Sequence, residues 1–391
     1  MMCARRSARR IFSVLVAPVM VAGVLIGIPA TASASTCFNW TGVQPPSPGG
    51  FDNNLFGVAV LSRCNAWAVG AYYNDEREIG QTLIEHWNGS SWKQVPSPNP
   101  GGSSGYNILY GVAAVSRDNI WAVGHYLNGT ADQTLVEHWN GTAWKQVPSP
   151  NTASGGILYG VAAVSATNIW AVGEYSNNAD VGQTLIEHWN GTAWKRVPSP
   201  NPGGALNGNF LFGVAAVSSA NVWAVGSFSH QSLVLHWNGT AWTHVASSNS
   251  SSALNSLSSV AATSASNAWA VGYYFNGTAD QTLIEHWNGT AWKRVASPNP
   301  SGTSNYNILN GVVALSASNA WAVGESIDGT GVHKTLVEHW TGTAWKHVPS
   351  PNPSSSGNTL YGVGASSATN IWAVGTYNGT TAGQALALHC C

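Results

Sequence analysis

The sequence predicts an all-β protein, a seven-bladed β-propeller whose blades are four-stranded antiparallel sheets. A unit containing Trp-Ala-Val-Gly occurs seven times at intervals of 46 to 54 residues, which is the length of one propeller blade. The chain has 43 Gly, 20 Trp and only 8% charged residues, a composition of folded β structure rather than of disorder. Turn residues also separate short apolar runs within each unit. The motifs begin at Trp67, Trp121, Trp170, Trp223, Trp269, Trp321 and Trp372.

Residues 1–34 are predicted to be a signal peptide. Four arginines within the first ten residues precede the apolar run 11–30, and Ala32-Ser33-Ala34 fits a signal peptidase site. We therefore expect a secreted chain that begins near Ser35 and forms one propeller domain over residues 35–391. An uncleaved anchor is the alternative, because the apolar run is nearly long enough to cross a bilayer.

The second unit shows the four strands expected in each blade. Strand A is predicted over Leu109–Ser116, strand B over Asn119–Tyr126, strand C over Gln133–Trp139 and strand D over Thr142–Val147. Strand B is apolar on both faces, as stacking between two neighbouring blades requires. Ser-x-x-Asn predicts an A–B turn with a left-handed Asn, and Asn140-Gly141 predicts the C–D hairpin. The proline-rich stretch after strand D cannot continue a central strand and predicts the passage to the next blade.

The tryptophans are interpreted as large wedges between neighbouring blades. Seven lie in strand B, six in strand C and six in strand D, which leaves Trp40. The segment around Trp40 is similar to the end of a strand D, whereas the seventh unit stops after its strand C. We therefore predict that the N-terminal segment supplies the outermost strand of blade seven and closes the ring.

The cysteines support this closure. Cys37 lies just before the proposed closing strand, while Cys390 and Cys391 follow the last strand C. In an exported protein, a disulfide from Cys37 to Cys390 or to Cys391 would tie the two ends together. Cys64, in the A–B turn of blade one, either pairs with the remaining terminal cysteine or stays free.

Strands B, C and D together resemble the kelch repeat of the galactose oxidase type. The shared features are an apolar strand ending in glycine (Gly124), a strand ending in an aromatic residue (Trp139), then a turn, Trp144 and a Val-Pro stretch. A second resemblance, to Asp-box propellers of the sialidase and photosystem assembly factor type, rests on Trp-Ala-Val-Gly and Gly141-x-x-Trp144. Both resemblances imply that the B–C and D–A loops line one mouth of the central channel.

Two polar positions recur too regularly to mark a single site. Glu137 and Lys145 recur together, and the fourth unit lacks both, with Leu235 and Thr243 in their places, which predicts an ion pair between strands C and D. A histidine precedes the last residue of strand C in every unit, so a structural hydrogen-bonding role is favoured. These histidines are His86, His138, His188, His236, His286, His339 and His389.

A functional site is expected where the copies differ. The residue after each Trp-Ala-Val-Gly varies, and we expect His125, Glu174, Tyr273 and Glu325 to converge on the loop-lined mouth. Carboxylates and a histidine there would suit a cation, sugar hydroxyls or acid/base chemistry. A set of solvated loops without a defined site is the alternative.

The sequence favours a secreted, non-enzymatic propeller that binds a glycan or a protein at this mouth. The alternative is an extracellular enzyme, a glycan hydrolase, a lyase or a kelch-type oxidase, with its active site in the loops; a purely structural role is a third reading. No catalytic residue, metal-ligand set or cofactor motif is identified, and no cofactor is expected, with calcium as a candidate ion for the rim carboxylates.

The charge balance limits the partners. The chain has 15 basic and 16 acidic residues, and four of the basic ones lie in the predicted signal peptide, which leaves 11 against 16 and a formal charge of −5. An acidic chain without a basic stripe argues against nucleic acid and against an anionic membrane surface. We expect a monomer.

Overall fold

The protein is a ring of seven four-stranded antiparallel sheets. The computed structural model describes residues 37, 39–75, 79–102, 105–152 and 154–391, and the predicted signal peptide lies outside them. These residues form 28 strands, β1 to β28, and no helix among them is long and apolar enough to cross a membrane. The predicted fold class is confirmed.

Each of blades one to six takes four consecutive strands, which we name A to D. Blade one contains β2 (Asp52–Ser62), β3 (Asn65–Tyr73), β4 (Gly80–Trp87) and β5 (Trp92–Gln94). Blade two contains β6 (Asn107–Ser116), β7 (Asn119–Leu127), β8 (Asp132–Trp139) and β9 (Trp144–Gln146). Blade three contains β10 (Gly156–Ser165), β11 (Asn168–Ser176), β12 (Gly182–Trp189) and β13 (Trp194–Arg196).

The remaining blades follow the same order, except that blade seven takes its strand D from the start of the chain. Blade four contains β14 (Asn209–Ser218), β15 (Asn221–Phe228), β16 (Gln231–Trp237) and β17 (Trp242–His244). Blade five contains β18 (Asn255–Ser264), β19 (Asn267–Phe275), β20 (Asp280–Trp287) and β21 (Trp292–Arg294). Blade six contains β22 (Asn307–Ser316), β23 (Asn319–Ile327), β24 (His333–Trp340) and β25 (Trp345–His347). Blade seven contains β26 (Asn358–Ser367), β27 (Asn370–Asn378), β28 (Gly383–Cys390) and β1 (Trp40–Gly42).

Strand D is shorter than the sequence predicts, because the hairpin turn extends beyond Asn-Gly. In blade two the side-chain oxygen of Asn140 accepts hydrogen bonds from the backbone N–H groups of Thr142 and Ala143, at 3.0 and 3.1 Å. Gly141 has a positive φ of 94°, whereas Asn140 does not. The other three strands are one or two residues longer than predicted, at the end of the blade where the B–C and D–A loops lie.

The N-terminal strand closes the ring as predicted. β1 pairs with β28 in antiparallel register, with Trp40 opposite Cys390. Cys37 and Cys390 form a disulfide with Cα atoms 5.7 Å apart, and Cys391 is exposed and free. The Trp40 ring lies 5.7 Å from that of Trp321 in blade six, in an edge-to-face contact. The two ends of the described chain are therefore joined by a sheet, a disulfide and an apolar contact.

The tryptophans pack between blades, as predicted. Trp67 of blade one lies with its ring centroid 4.9 Å from that of Trp139 and 5.5 Å from that of Trp144, both in blade two. Seven buried apolar clusters of this kind occupy the seven interfaces between neighbouring blades. Each blade thus covers the apolar face of the next, which explains why strand B carries no polar face.

The recurrent histidines are structural. Each Nε2 lies 2.8 to 3.1 Å from the side-chain oxygen of the Asn that begins strand B. Each ring also packs on the strand B tryptophan, with centroids 4.1 to 4.3 Å apart. The predicted left-handed conformation of this Asn is wrong, because the described non-glycine residues with positive φ are Asp180, Ser229 and His230. The Asn serves as the acceptor for the histidine instead.

Asn119→Ala is expected to destabilise the protein more than the equivalent change Asn168→Ala. Asn119 accepts from both His138 and the Trp121 indole, the latter at 2.8 Å, whereas Asn168 accepts from His188 alone among the described residues. Each buried donor left without an acceptor costs about 1–3 kcal/mol. Urea unfolding of the two variants measures the difference, and equal losses would contradict this account.

The predicted ion pair between strands C and D is wrong. In the register of blade two, Glu137 lies opposite Gln146, while Lys145 lies opposite His138. Successive residues of a strand face opposite sides of the sheet, so Glu137 and Lys145 point away from each other. Glu137 is 0% exposed, in the interface between blades, and Lys145 is exposed.

Candidate functional site

The bulged residue of each strand A lines the central channel. In blade two the pairing of β6 with β7 shifts between Leu109 and Gly111, and Tyr110 between them borders the channel cavity. Its equivalents are aromatic in five consecutive blades, with neighbouring ring centroids 5.2 to 5.6 Å apart. The seven residues, in ring order from blade seven, are Tyr361, Phe56, Tyr110, Tyr159, Phe212, Ser258 and Asn310. We call the five aromatic ones the aromatic arc.

The channel beyond the aromatic arc is narrow, and its lining combines valines with polar groups such as Ser259 and Asn310. A Cβ atom added at Gly57 would lie 2.7 Å from the Tyr110 carbonyl oxygen of the next blade, so glycine permits this close approach of neighbouring A strands. Blade five has Ser259 at this position. Every blade then presents a valine, and the channel cavity is about 230 Å³. The valines are Val58, Val112, Val161, Val214, Val260, Val312 and Val363.

A larger cavity, of about 660 Å³, opens at the end of blades one to three where strand A begins. The B–C and D–A loops lie at this end, as the family resemblances imply. We call it the mouth cavity; it combines aromatic, acidic and apolar side chains, and Tyr110 lines both this cavity and the channel. The residues used below are Phe51, Asp52, Tyr73, Tyr106, Ile108, Tyr110, His125, Asp132 and Ile157.

The loops around the mouth are held by buried amides. Asn107, at the start of β6, is 0% exposed; its Oδ1 accepts from the Gly101 N–H at 2.7 Å, and its Nδ2 donates to the Gly105 carbonyl at 3.1 Å. Asn151, in the proline-rich stretch after β9, accepts from the Thr134 N–H of its own blade at 2.7 Å. The Asn151 bond explains why Pro-Ser-Pro-Asn recurs together with Thr-Leu-x-Glu-His-Trp, since it joins the two motifs. Together with the Asn107 bonds, it holds the D–A loops against the sheets.

His125 and Asp132 form the polar centre of the mouth cavity. The Tyr106 hydroxyl donates to Asp132 Oδ1 at 2.7 Å, and His125 Nε2 lies 3.8 Å from the same oxygen. The His125 ring stacks on Tyr110, with centroids 5.6 Å apart. Burial lowers the pKa of His125, and the Asp132 carboxylate opposes that shift. His125 is therefore neutral near pH 7 and does not neutralise Asp132.

Glu174 lies beside this cavity, on blade three. It accepts a hydrogen bond from the Tyr159 hydroxyl at 2.9 Å, and Tyr159 belongs to the aromatic arc. Burial raises the pKa of Glu174; the Tyr159 bond opposes the shift, and the Asp132 carboxylate adds to it. Asp132 thus acts electrostatically on both His125 and Glu174, so these two predicted residues share one environment.

Tyr273 and Glu325 lie on other blades. Glu325, in blade six, has its Oε2 2.6 Å from His333 Nδ1 and accepts from the Thr359 hydroxyl at 2.6 Å. In blade five, burial raises the pKa of Tyr273, with Asp280 adding to the shift and a bond with Ser256 opposing it. Among the described residues, no hydrogen bond, ion pair or ring contact joins either one to His125 or Glu174, so the four predicted residues do not meet as one cluster.

The aromatic residues of the mouth were missed by the sequence prediction. The usable signal was the column before the strand A glycine, which blade five replaces with Ser259; in that column the residue changes from Phe or Tyr to Ser258 and Asn310. Tyr106 has an equivalent in Tyr306 and Asp132 has one in Asp280, but the second unit alone carries both residues. Among the described residues, no group of three or more His, Cys, Asp or Glu is arranged to hold a metal ion.

The fold and this cavity define the class of protein: a seven-bladed β-propeller with a ligand-sized cavity at one mouth. Three solved structures share the fold. YCF48 bound to a D1 peptide matches with 14% identity and a TM-score of 0.56, over 91% of this chain and 99% of that chain. The xyloglucanase of family GH74 from Xanthomonas campestris matches with 12% identity and a TM-score of 0.53, over 89% of this chain and 55% of that one.

The third structure is the extracellular domain of a hybrid two-component system from B. thetaiotaomicron, with 11% identity, a TM-score of 0.55, and coverage of 90% of this chain and 40% of that one. At such identities the likeness shows the fold alone. No protein-family model matches the chain, and no curated protein matches it. The propeller is thereby established, while the kelch type stays a prediction.

Proposed function

We propose that this protein is an extracellular binding protein that holds a glycan or a peptide in the mouth cavity. The observation that carries the proposal is the cavity of about 660 Å³ where Tyr73, Tyr106 and Tyr110 lie beside Asp52 and Asp132. Ligand sites combine apolar and aromatic walls with a few placed polar groups in cavities of this size. Tyrosine supplies both a flat apolar face and a hydroxyl, which suits sugar rings and peptide side chains alike.

Two further observations support this proposal. The loops around the cavity are fixed by buried amides such as Asn107, so the site is preorganised and little order is lost on binding. The Cys37–Cys390 disulfide supports an extracellular location, because disulfides persist in oxidising compartments. Among propellers of this fold, one solved structure holds a peptide and another is a xyloglucanase. We also propose that the protein is a kelch-like propeller, which the repeat pattern supports.

A hydrolase is the second candidate, and Glu174 is the observation that favours it. Burial raises the pKa of this carboxyl, which is the direction of shift that a general acid needs. Asp132, which accepts a hydrogen bond from the Tyr106 hydroxyl, would be the second carboxylate of such a site. The binding proposal is preferred because the Tyr159 hydroxyl already occupies one Glu174 oxygen.

Binding of the purified chain to a broad glycan array and a peptide library, with and without calcium, tests the proposal. We expect Tyr73→Ala with Tyr110→Ala to lower the affinity for every ligand found by about tenfold or more, since aromatic anchors dominate binding energy. Arg117→Ala is the matched control, because Arg117 is exposed in an A–B turn at the opposite end of the ring. Equal loss in the control, or no ligand for the folded protein, contradicts the proposal; turnover that Glu174→Gln abolishes favours the hydrolase.

A further inference from the structure

We propose that the mouth cavity binds a basic peptide side chain, lysine or arginine, from a partner protein. This inference rests on the proposed function, because it names the chemistry of the ligand at that same site. It rests on four independent features: the charge of this end of the ring, two carboxylates without a cationic side chain, a buried acceptor and the aromatic walls.

The mouth end of the ring is strongly acidic. Among the described residues, eight carboxylates lie at this end and one lysine, Lys334, which is paired with Asp328 at 2.9 Å. The other described lysines and arginines lie in D strands or in A–B turns at the opposite end. The field of this face attracts cations and repels anionic ligands. The carboxylates are Asp52, Asp75, Asp132, Glu174, Asp180, Asp280, Glu325 and Asp328.

Two of these carboxylates line the mouth cavity and are held in place. Asp52 accepts from the Asn53 N–H at 2.9 Å and from Asn54 Nδ2 at 3.0 Å. Asp132 accepts from Tyr106. The ion pairs of the described residues give Asp132 only the His125 ring, at 3.8 Å, and give Asp52 none. Both negative charges are thus oriented but not neutralised, and a ligand cation would neutralise them.

His125 adds an acceptor that selects the sign of the ligand. Its side chain lines the cavity and is only 6% exposed, and its Nδ1 has no hydrogen-bond partner among the described residues. When the proton of the neutral ring lies on Nε2, towards Asp132, Nδ1 carries a lone pair. An ammonium or guanidinium N–H that reaches this buried atom would satisfy its lone pair, whereas a carboxylate, sulfate or phosphate oxygen would not.

The walls suit the rest of a basic side chain. Tyr73, Tyr106 and Tyr110 line the cavity with aromatic rings, the kind of side chain that attracts cations, and Ile108 and Ile157 offer apolar surface to the aliphatic stem. Tyr110 also borders the channel cavity of about 230 Å³, which has a valine from every blade and is large enough for one more side chain. A peptide with an apolar residue next to its lysine or arginine would fill both spaces. A neutral sugar would leave the two carboxylates desolvated without a cation, which is costly.

A peptide array read at low and high salt tests the inference. Its members are identical except for a central Lys, Arg, Gln or Glu beside a Phe. We expect the Lys and Arg peptides to bind at least about tenfold more tightly than the Gln peptide, and binding to weaken as salt rises. Asp132→Asn and Asp52→Asn are each expected to lower that affinity about tenfold. Asp118→Asn, an exposed change at the opposite end, is expected to leave it unchanged.

Each other outcome overturns the inference in a recognisable way. Equal binding of the Gln or Glu peptides, or affinity unchanged in both aspartate variants, rules out a cation site. Binding of glycans alone, lost in the tyrosine double variant, overturns the cation site and leaves the proposed function standing. Absence of any peptide or glycan ligand, with far-ultraviolet circular dichroism showing folded protein, overturns both.

Discussion

Cys37→Ser is expected to lower the free energy of unfolding by about 3 kcal/mol and the melting temperature by several degrees. The disulfide joins residues 353 positions apart, so it removes much conformational freedom from the unfolded chain. In the folded ring it also holds β1, a strand of three residues, against β28. Without it, Trp40 is kept in the interface between blades six and seven by the short pairing and its apolar contacts alone.

Cys391→Ser is the matched control for this change. Cys391 is exposed and free, so its replacement is expected to leave the melting temperature unchanged under oxidising conditions. A reducing agent should lower the melting temperature of the native chain at least to that of Cys37→Ser, since reduction also breaks the disulfide of Cys64. Equal melting temperatures for the native chain and Cys37→Ser would show that the disulfide contributes nothing to closure.

Raising the pH from 7 to 9 is expected to destabilise the protein, because glutamates are buried between its blades. Burial raises the pKa of Glu85 to about 9 and that of Glu187 to about 8, and raises the pKa of Glu137 and Glu338 well above the ordinary value. None of these four carboxyls has a hydrogen-bond partner among the described residues. They are therefore protonated in the folded state near neutral pH.

The direction of the pH dependence follows from proton binding. Above the ordinary pKa of 4.5, the unfolded chain releases these protons while the folded chain keeps them. The free energy of unfolding then falls by about 1.4 kcal/mol per pH unit and per group, until the folded pKa is passed. Burial lowers the pKa of the strand C histidines below the ordinary 6.5, so stability is also lost at lower pH, as those histidines gain protons on unfolding. The greatest stability is expected at about pH 6 to 7.

Comparing Glu137→Leu with Glu285→Leu tests whether the loss of stability at high pH comes from buried glutamates that lack a hydrogen-bond donor. Blade four already has Leu235 at this position, and its side chain is fully buried. Glu285 differs from the other four because the Ser247 hydroxyl and the Ser248 N–H donate to it, at 2.7 and 3.3 Å. Ser248 stands where the equivalent stretches have a proline, which has no N–H.

We expect Glu137→Leu to raise the melting temperature at pH 8.5 and to flatten its pH dependence. Glu285→Leu should gain less, since it leaves the Ser247 hydroxyl without its acceptor. Thermal unfolding of both variants between pH 6 and 9 makes the comparison. A native melting temperature that rises over this range, or a larger gain for Glu285→Leu, would refute the account.

The fold was predictable because its signals are local and repeated. Trp-Ala-Val-Gly, Asn-Gly and the proline-rich stretch recur in nearly every blade, and each one marks a strand or a turn within a few residues of itself. The closing strand was predictable by the same reasoning, since Trp40 and the unfinished seventh unit are complementary. The Glu137 ion pair was wrong because co-occurrence along the chain does not say which face of the sheet a side chain takes.

The candidate site was only partly predictable. Sequence comparison among the copies found His125 and Glu174, which lie at the mouth cavity, and also Tyr273 and Glu325, which lie on blades five and six. It missed Tyr110, because strand A reads as a regular strand and its bulge changes the direction of that side chain. It also missed Tyr106 and Asp132, whose bond joins a D–A loop to the start of a strand C.

The sequence by itself determined the number of blades, the order of strands and the closure of the ring, because a blade can bury its apolar faces only against copies of itself. Tertiary structure alone decided which of the varying residues meet. Residues about fifty positions apart become neighbours around the axis, and the bulges and close glycine contacts of the A strands set the size of the space between them. The neighbouring blade also decides whether a buried glutamate has a hydrogen-bond donor, as Glu285 does, or has none, as Glu137 does.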